Sequence, residues 1–123
     1  MPYIEVYDFD ADTAQRTEAT RAITDSLALT YEISASIITV FFHSVTPQNY
    51  GHEGFFGDKA APGRIFIKLH AYPRSDQMRR NAAVRITASV AAAYGASPAC
   101  IALYFLERQT NEVAHAGRLA CDE

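Results

Sequence analysis

Apolar and polar residues follow two patterns along the chain, one alternating and one almost continuous. Two segments, 3–7 and 65–69, alternate and are rich in β-forming residues, which predicts a strand in each. Two others, 37–43 and 100–106, are nearly unbroken apolar runs. Such runs are typical of strands that are buried on both faces of a sheet, so we expect four strands.

Each alternating segment is followed by small and apolar residues at helical spacing, which predicts a helix after each of these strands. The first stripe is formed by Ala19, Ala22, Ile23, Ser26, Leu27 and Thr30, and the second by Met78, Ala82, Ile86, Ser89, Val90 and Ala93. Asp10 or Asp12 is expected to cap the first helix and Ser75 the second, because their side chains can accept from free amides. Gly95 is expected to end the second helix, and Pro98 cannot continue it.

The chain contains an internal repeat with an offset of 63 residues. In this register Ile23, Thr24, Ser26, Ala28, Tyr31, Ser34, Ile38 and Phe42 fall on Ile86, Thr87, Ser89, Ala91, Tyr94, Ser97, Ile101 and Phe105. The repeat indicates one domain, 1–123, built from β-α-β units at 2–43 and 65–106 that a long loop at 44–63 joins. Two such units predict an α+β fold, in which a four-stranded mixed sheet carries both helices on one face.

The other face of this sheet has no cover within the chain. A chain of 123 residues has no further element large enough to hide it. Because a large exposed apolar face marks a contact surface, we expect another subunit to cover it. The chain is therefore predicted to be an obligate oligomer.

The connecting loop 44–63 contains four glycines, two prolines and three aromatic residues. Loops of this length are usually functional, interfacial or disordered, and the aromatic residues argue against disorder. Two interpretations follow. The loop is either a subunit-packing arm with a short hairpin, or a lid to which His52 and Glu53 contribute.

Composition and charge narrow the possible partners. With 11 Lys and Arg against 14 Asp and Glu, the net charge is −3, which argues against nucleic acids and anionic membranes, since both need a basic surface. No segment reaches the roughly 18 apolar residues of a membrane span, and the acidic start is unlike a signal peptide. Cys100 and Cys121 indicate neither a disulfide framework nor a zinc site. We expect a soluble, cytoplasmic protein without a metal.

The candidate for chemistry is Pro2. The sequence has no phosphate-binding loop, dinucleotide fingerprint, nucleophile elbow or metal-binding helix, so we expect no cofactor. If Met1 is removed, Pro2 becomes a secondary amine at the start of a strand. Apolar neighbours and a nearby cation both disfavour the ammonium form, so such an amine can act as a base near neutral pH. If Met1 is retained, the Pro2 nitrogen is an amide without basicity.

Three features together resemble the tautomerase superfamily (4-oxalocrotonate tautomerase-like), whose members use an amino-terminal proline. They are the start Met1-Pro2, the duplicated β-α-β unit and the lack of a cofactor motif. The chain is most similar to the cis-3-chloroacrylic acid dehalogenase group. The similarity covers nearly the whole chain, through Ala22-Ile-Thr-Asp25, Ile65-Phe66 with Leu69-His70, Arg74-Ser75, Tyr104-Phe105 with Glu107, and Gly117-Arg118. The resemblance implies a homotrimer with active sites near subunit contacts.

Three residues match functional positions of that group. Pro2 matches the catalytic proline, Arg74 one of two arginines that hold the substrate carboxylate, and Tyr104 a tyrosine that helps position the attacking water. A guanidinium suits a carboxylate because it donates two parallel hydrogen bonds. Tyr3 and Phe41, together with Tyr104, are expected to form apolar walls around Pro2.

Other positions depart from the pattern. In the dehalogenase group a helix histidine falls on Leu27, the other arginine on Ala71 and the water-activating glutamate on His115. Efficient dehalogenation is therefore not expected, although the imidazole of His115, with an unperturbed pKa of about 6.5, could replace the missing base. Malonate semialdehyde decarboxylase is locally similar through Pro-Arg-Ser; its other arginine falls on Tyr72 and its acid near 34–36, where no acid stands.

Each candidate also has a purely structural interpretation. Arg74 could form a solvated ion pair with a neighbouring aspartate, Tyr104 could belong to the core, and His115 could be a surface histidine. His43 and His70, at strand ends, are expected to be structural or to line the site.

The sequence thus predicts a cofactor-independent enzyme that moves a proton on, or adds water to, a small unsaturated or 2-oxo carboxylate. Tautomerase or isomerase chemistry is expected, with hydratase or decarboxylase (lyase) activity as further possibilities. The candidate catalytic residues are Pro2, Tyr104 and His115, and the candidate substrate-binding residues are Arg74, Tyr3, Phe41 and Tyr72. The alternative is a non-catalytic protein of the same fold that serves as an oligomeric binding or structural module.

Overall fold

The computed structural model describes residues 2–123 as an α+β fold; Met1, and with it the question of its removal, lies outside the described residues. The first unit comprises β1 (Tyr3–Phe9), α1 (Thr13–Tyr31) and β2 (Thr39–Val45), followed by a hairpin of β3 (Gly51–His52) and β4 (Phe55–Phe56). The second comprises β5 (Ile65–Ala71), α2 (Asp76–Tyr94) and β6 (Ile101–Glu107), followed by a hairpin of β7 (Ala114–His115) and β8 (Arg118–Leu119).

The four long strands form one mixed sheet in the order β2-β1-β5-β6. The pairs β1/β2 and β5/β6 are parallel, because a helix crosses over between their strands. The central strands β1 and β5 are antiparallel, with Tyr3 opposite His70 and Glu5 opposite Lys68. The predicted fold class and sheet are therefore confirmed.

Both helices are capped by side chains that the sequence supplies. Asp12, rather than Asp10, caps α1: its carboxylate accepts from the Gln15 amide at 2.8 Å, and the Gln15 side chain accepts from the Asp12 amide. The Ser75 hydroxyl caps α2 by accepting from the Met78 amide at 3.2 Å, as predicted. Gly95 ends α2 with a φ of 63°, a left-handed conformation that glycine adopts without strain.

The core lies between the helices and one face of the sheet. Its buried members come from alternate positions of the central strands and from the predicted helix stripes: Ile4, Val6, Ile67, Leu69, Ala19, Ile23, Leu27, Ala82, Ile86 and Val90. The two helices meet at equivalent repeat positions, where the hydroxyls of Ser26 and Ser89 lie 3.3 Å apart. Both helices therefore lie on the same face of the sheet, as the repeat predicted.

The opposite face of the sheet is open in the single chain. Its central row runs across the four strands through Phe41, Glu5, Lys68 and Tyr104. Phe41 is 52% exposed and Tyr104 is 59% exposed. The prediction that the second strand of each unit is buried on both faces is therefore wrong for the single chain, because β2 and β6 are sheet edges with one uncovered face.

The segment 44–63 proves to be the end of the first repeat. It forms the hairpin β3/β4, which recurs 63 residues later as β7/β8. The short 3₁₀ turns Pro47–Asn49 and Gly57–Lys59 recur as Thr110–Glu112 and Ala120–Asp122. The repeat thus extends beyond the two β-α-β units. The sequence predicted the first hairpin but missed its copy, because no aromatic residue marks the second.

Within residues 2–123, neither helix has the length and apolar character that crossing a membrane requires. The same residues contain no group of three or more His, Cys, Asp or Glu side chains that could hold a metal ion. Cys100 and Cys121 are free thiols.

Candidate active site

A cavity of about 510 Å³ lies beside Pro2, at the start of β1. Pro2 itself is buried. Of the seven predicted site residues, five line this cavity: Pro2, Tyr3, Phe41, Tyr72 and His115. The remaining lining comes mainly from Thr39, Thr110, Val113, Ala114, Ala120 and Glu123.

The topology explains why residues distant in sequence meet here. Because β1 and β5 are antiparallel, the end of β5 lies beside the start of β1, which brings Tyr72 to Pro2. Because β1 and β2 are parallel, Phe41 comes from the adjacent strand, and its ring packs edge-on against Tyr3 at 6.0 Å between centroids. The hairpin β7/β8 then places His115 on the remaining wall.

A second recess of about 360 Å³ adjoins the Pro2 cavity. The two share Tyr3, Tyr72, Val113 and Ala114, and the second adds His70, Ala71, Arg108 and Glu112. Among the described residues that line either recess, Arg108 is the only lysine or arginine. The two recesses therefore adjoin, and together they form the candidate site, with the rings of Tyr3 and Tyr72 in the shared lining and Arg108 in the second recess.

His70 is held on the wall of this second recess by two contacts. Its ring stacks on Tyr3 at 4.1 Å between centroids, and its Nε2 lies 2.6 Å from Glu5 Oε2. His43 contacts the other Glu5 oxygen at 3.1 Å. Hydrogen bonds from His70 and His43 lower the pKa of Glu5, although partial burial opposes this. His70 is therefore both structural and site-lining, while His43 supports the open sheet face.

Arg74 lies outside both recesses of the single chain. Its guanidinium donates to the carbonyl oxygens of Tyr72 and Pro73 at 3.0 and 3.2 Å, and it lies over the Tyr31 ring at 4.8 Å. Asp76 pairs with Arg79 rather than with Arg74, so the ion pair considered from the sequence is not formed. In one chain, Arg74 holds the turn that carries Tyr72 into the site.

Tyr104 also lies outside the cavity. It lies on the open face of β6, where its ring packs against Phe66 at 4.8 Å between centroids. Its high exposure excludes a core role in the single chain. Any contact of Tyr104 with a Pro2 cavity therefore requires a second subunit.

Comparison with known proteins identifies the fold. No family model matches the chain, and no curated protein does. Among solved structures, native fused 4-OT has a TM-score of 0.91 at 16% identity, over 98% of this chain and 97% of its own. N1, a member of the cis-3-chloroacrylic acid dehalogenase family, has a TM-score of 0.82 at 18% identity, over 95% and 82%. The chain has the tautomerase fold.

Another neighbour is described as Pt0534 inactivated by 2-oxo-3-pentynoate, with a TM-score of 0.87 at 13% identity, over 98% of this chain and 97% of its own. Two fused 4-OT structures with TM-scores of 0.86 and 0.87 are described as a symmetric and an asymmetric trimer. The similarity predicted from the sequence is thus confirmed for the fold. The local similarity to malonate semialdehyde decarboxylase stays a prediction.

The tautomerase fold of this chain contains a second cavity, at the position that the repeat relates to the first. It has a volume of about 400 Å³, and Phe9, Tyr50 and Ile65 line it where the first cavity has Tyr72, Val113 and Pro2. Ile65 offers no amine, so among the described residues this cavity has no counterpart of the Pro2 nitrogen. His52, the counterpart of His115, lies 3.5 Å from Glu53 and outside the lining of the Pro2 cavity.

Sequence reasoning missed Arg108 and Thr110, and it considered Glu112 only as a candidate that would remain, with His115, if the Pro2 mechanism were wrong. Arg108, Thr110 and Glu112 lie in and just before a short 3₁₀ turn after β6, in a polar segment without a recognisable motif. The available signal was the repeat, since Thr110 is the counterpart of Pro47 in the first hairpin region. Extending the repeat to the end of the chain would have placed these residues beside the start of β1.

Proposed function

We propose that this protein is a cofactor-independent tautomerase-superfamily enzyme that uses an amino-terminal Pro2 to transfer a proton on a small unsaturated or 2-oxo carboxylate. The observation that carries the proposal is the cavity in which buried Pro2 meets Tyr3, Phe41, Tyr72 and His115. The tautomerase fold supports it. The proposal includes a cytoplasmic location.

The proposed reaction needs no co-reactant. With Met1 removed, the lone pair of the Pro2 nitrogen takes a proton from one atom of the conjugated acid and returns it to another. The double bond moves, and the substrate is neither oxidised nor reduced. Burial of Pro2 favours the neutral amine, because an apolar surrounding disfavours the ammonium form.

His115 is the proposed second proton-transfer group, since it lines the same cavity as Pro2. An imidazole can donate or accept a proton near neutral pH, which suits either protonation of the intermediate or activation of water. Hydration of an unsaturated acid is therefore the variant reaction that the site could support. Tyr72 and Tyr3 provide flat surfaces for a conjugated substrate.

Assembly as a homotrimer is part of the proposal. Tyr104, on the open sheet face, can serve the reaction only from a neighbouring subunit. Arg74 is the carboxylate-binding residue that the family resemblance implies, although it lies outside the recesses of one chain.

The test combines turnover with chemical labelling. The processed protein, Pro2→Ala and a variant with a lysine inserted between Met1 and Pro2 are assayed with 2-hydroxymuconate and phenylenolpyruvate, and intact mass shows whether Met1 is removed. We expect the processed protein to be most active. Pro2→Ala should keep part of the activity through its primary amine, and the insertion should lose about 10²–10⁴-fold, the contribution of a positioned base. Equal turnover by the insertion variant would exclude the Pro2 mechanism.

A further inference from the structure

Among the described residues of one chain that line the candidate site, only one side chain can neutralise the carboxylate of a small acid by a permanent charge. The lining of the Pro2 cavity offers hydroxyls, aromatic rings, His115 and the carboxylate of Glu123, and the adjoining recess adds His70, Glu112 and the guanidinium of Arg108. A carboxylate that leaves water must find a charged or multiply hydrogen-bonding partner, because an unpaired charge in a recess is costly.

We propose that Arg108 binds the substrate carboxylate, so that the reacting carbon lies at Pro2 and the acid group lies in the adjoining recess. This inference rests on the proposed function and names the specificity residue of that site. The substrate class is then a short conjugated monocarboxylate. Its planar part would lie against Tyr3 and Tyr72, which the two recesses share.

Local structure holds Arg108 at this place. It is the first residue after β6, and its backbone amide donates to the Ala71 carbonyl at 2.9 Å, which fixes the chain beside the end of β5. Ala71 and Arg108 both line the adjoining recess. The guanidinium can therefore approach a ligand from the side of β6.

The side chain of Arg108 is also available. It is 62% exposed, and its nearest carboxylate, Glu112, lies 3.9 Å away, beyond hydrogen-bond distance. Glu112 accepts instead from the Gln109 amide at 2.9 Å. By contrast, Arg74 already donates to two backbone carbonyls. No described residue lies within hydrogen-bond distance of the Arg108 guanidinium, so a ligand carboxylate would be its first close partner.

The test uses 2-oxo-3-pentynoate as the acid and its methyl ester as the neutral counterpart. In the labelling reaction the Pro2 nitrogen bonds to C4 of the alkyne, C3 gains a proton and the nitrogen loses one, so that the N–H bond adds across the triple bond. The second-order labelling rate is measured for the wild type, Arg108→Ala, Arg108→Lys and Arg74→Ala. Arg85→Ala is the matched control, because Arg85 is an exposed residue of α2 and lines neither recess.

We expect Arg108→Ala to label about 10- to 100-fold more slowly with the acid, the range for a lost charge-assisted hydrogen bond, and unchanged with the ester. Arg108→Lys should restore part of the rate, since an ammonium cannot form two parallel bonds. Arg85→Ala should match the wild type. Circular dichroism confirms that each variant is folded.

Two results separate this inference from the proposed function. If the acid labels Pro2 but the ratio of acid to ester rates is the same in Arg108→Ala and the wild type, Arg108 does not bind the carboxylate and the proposed function stands. If the ratio of acid to ester rates falls in Arg74→Ala instead, Arg74 is the residue that binds the carboxylate. If neither reagent labels Pro2 in the wild type, both the proposed function and this inference are wrong.

Discussion

Asp8 is a fully buried carboxylate that two neighbours hold in place through three hydrogen bonds. Arg16 donates to its two oxygens at 2.7 and 3.1 Å, and the Tyr94 hydroxyl donates at 2.6 Å. A buried charge is tolerated only when it is paired in this way. Burial and the hydrogen bond to Asp8 raise the pKa of Tyr94, so the hydroxyl remains a donor at physiological pH.

Replacing this carboxylate should destabilise the fold. We expect Asp8→Ala to lower the free energy of unfolding by about 3 kcal/mol, because Arg16 and Tyr94 lose their partner inside the protein. Asp25→Ala, at an exposed position of α1, is the control and should change it by less than about 0.5 kcal/mol. Urea unfolding measures both. Equal effects would show that the Asp8 network contributes nothing specific.

In the second repeat, the carboxylate that pairs with the arginine of the helix lies on a different strand. Ala71 stands at the counterpart of Asp8, and Glu107, on β6, pairs with Arg79 at 2.9 Å. As a result the buried Tyr31 hydroxyl has no hydrogen-bond partner among the described residues. Burial and the nearby Glu107 charge raise the pKa of Tyr31 to about 12. Ala71, at the counterpart of Asp8, lines the recess beside Arg108.

The lowered pKa of Glu5 makes stability depend on pH. Because the pKa is lower in the folded state than its ordinary 4.5, Glu5 stabilises the fold at pH values above 4.5, and this contribution is lost as the pH falls through the folded-state value. We expect the free energy of unfolding to fall less steeply between pH 5 and pH 3 in Glu5→Gln than in the wild type. Identical slopes at one protein concentration would contradict this prediction.

At the residue scale, the sequence predicted most of the candidate site. The resemblance selected Pro2 and His115, and the strand pattern and family positions selected Tyr3, Phe41 and Tyr72; the structure brings all five to one cavity. It does not bring Arg74 or Tyr104 there in one chain. Their placement depends on side-chain direction and on a second subunit, and a single sequence reports neither.

At the element scale, both hairpins turn through two residues with positive φ, at Glu53-Gly54 and Ala116-Gly117. Positive φ at both central residues is typical of type I′ turns, which favour Asn-Gly. Ala116, with a φ of 51°, is therefore strained, since alanine rarely adopts this conformation. The second hairpin carries His115 into the cavity, so its stability bears on the proposed reaction.

Ala116→Asn should stabilise this hairpin by about 0.5–1 kcal/mol, because asparagine tolerates the left-handed conformation. Ala116→Val, at the same position, should destabilise it. The readout is hydrogen exchange of the Ala120 amide, which donates to the Val113 carbonyl at 2.9 Å across the base of the hairpin. If the Ala120 amide exchanges faster than in the wild type, and by the same factor in both variants, backbone strain at this position is unimportant.

The elements themselves were predictable because local pattern and repeat agree. Helical stripes and caps determined α1 and α2, and alternation determined β1 and β5. The runs that became β2 and β6 were identified as strands, but burial on both faces was wrong. An apolar run indicates that both faces of a strand become buried. It does not show whether the residues that bury them belong to the same chain.

At the scale of the whole molecule, the open face combines exposed aromatic rings with charges that are already paired within it. Glu5 contacts two histidines, and Lys68 lies over the Tyr7 ring at 5.1 Å. Because these polar groups have partners, a second subunit could cover the face without leaving them unpaired. The face is thus suited to burial in an assembly, which the apolar runs of β2 and β6 already indicated.

We therefore expect a homotrimer at micromolar concentration, with light scattering giving three times the mass of one chain. Tyr104→Glu should shift the protein to monomers, because it adds a negative charge to each exposed sheet face while leaving the helix-facing core unchanged. Val84→Glu is the matched control: Val84 is an apolar residue of α2 that is 71% exposed, and its substitution should leave the trimer intact. A stable monomer in the wild type would exclude both the trimer and a catalytic role for Tyr104, whereas dissociation by Val84→Glu alone would place the subunit contact on the helices.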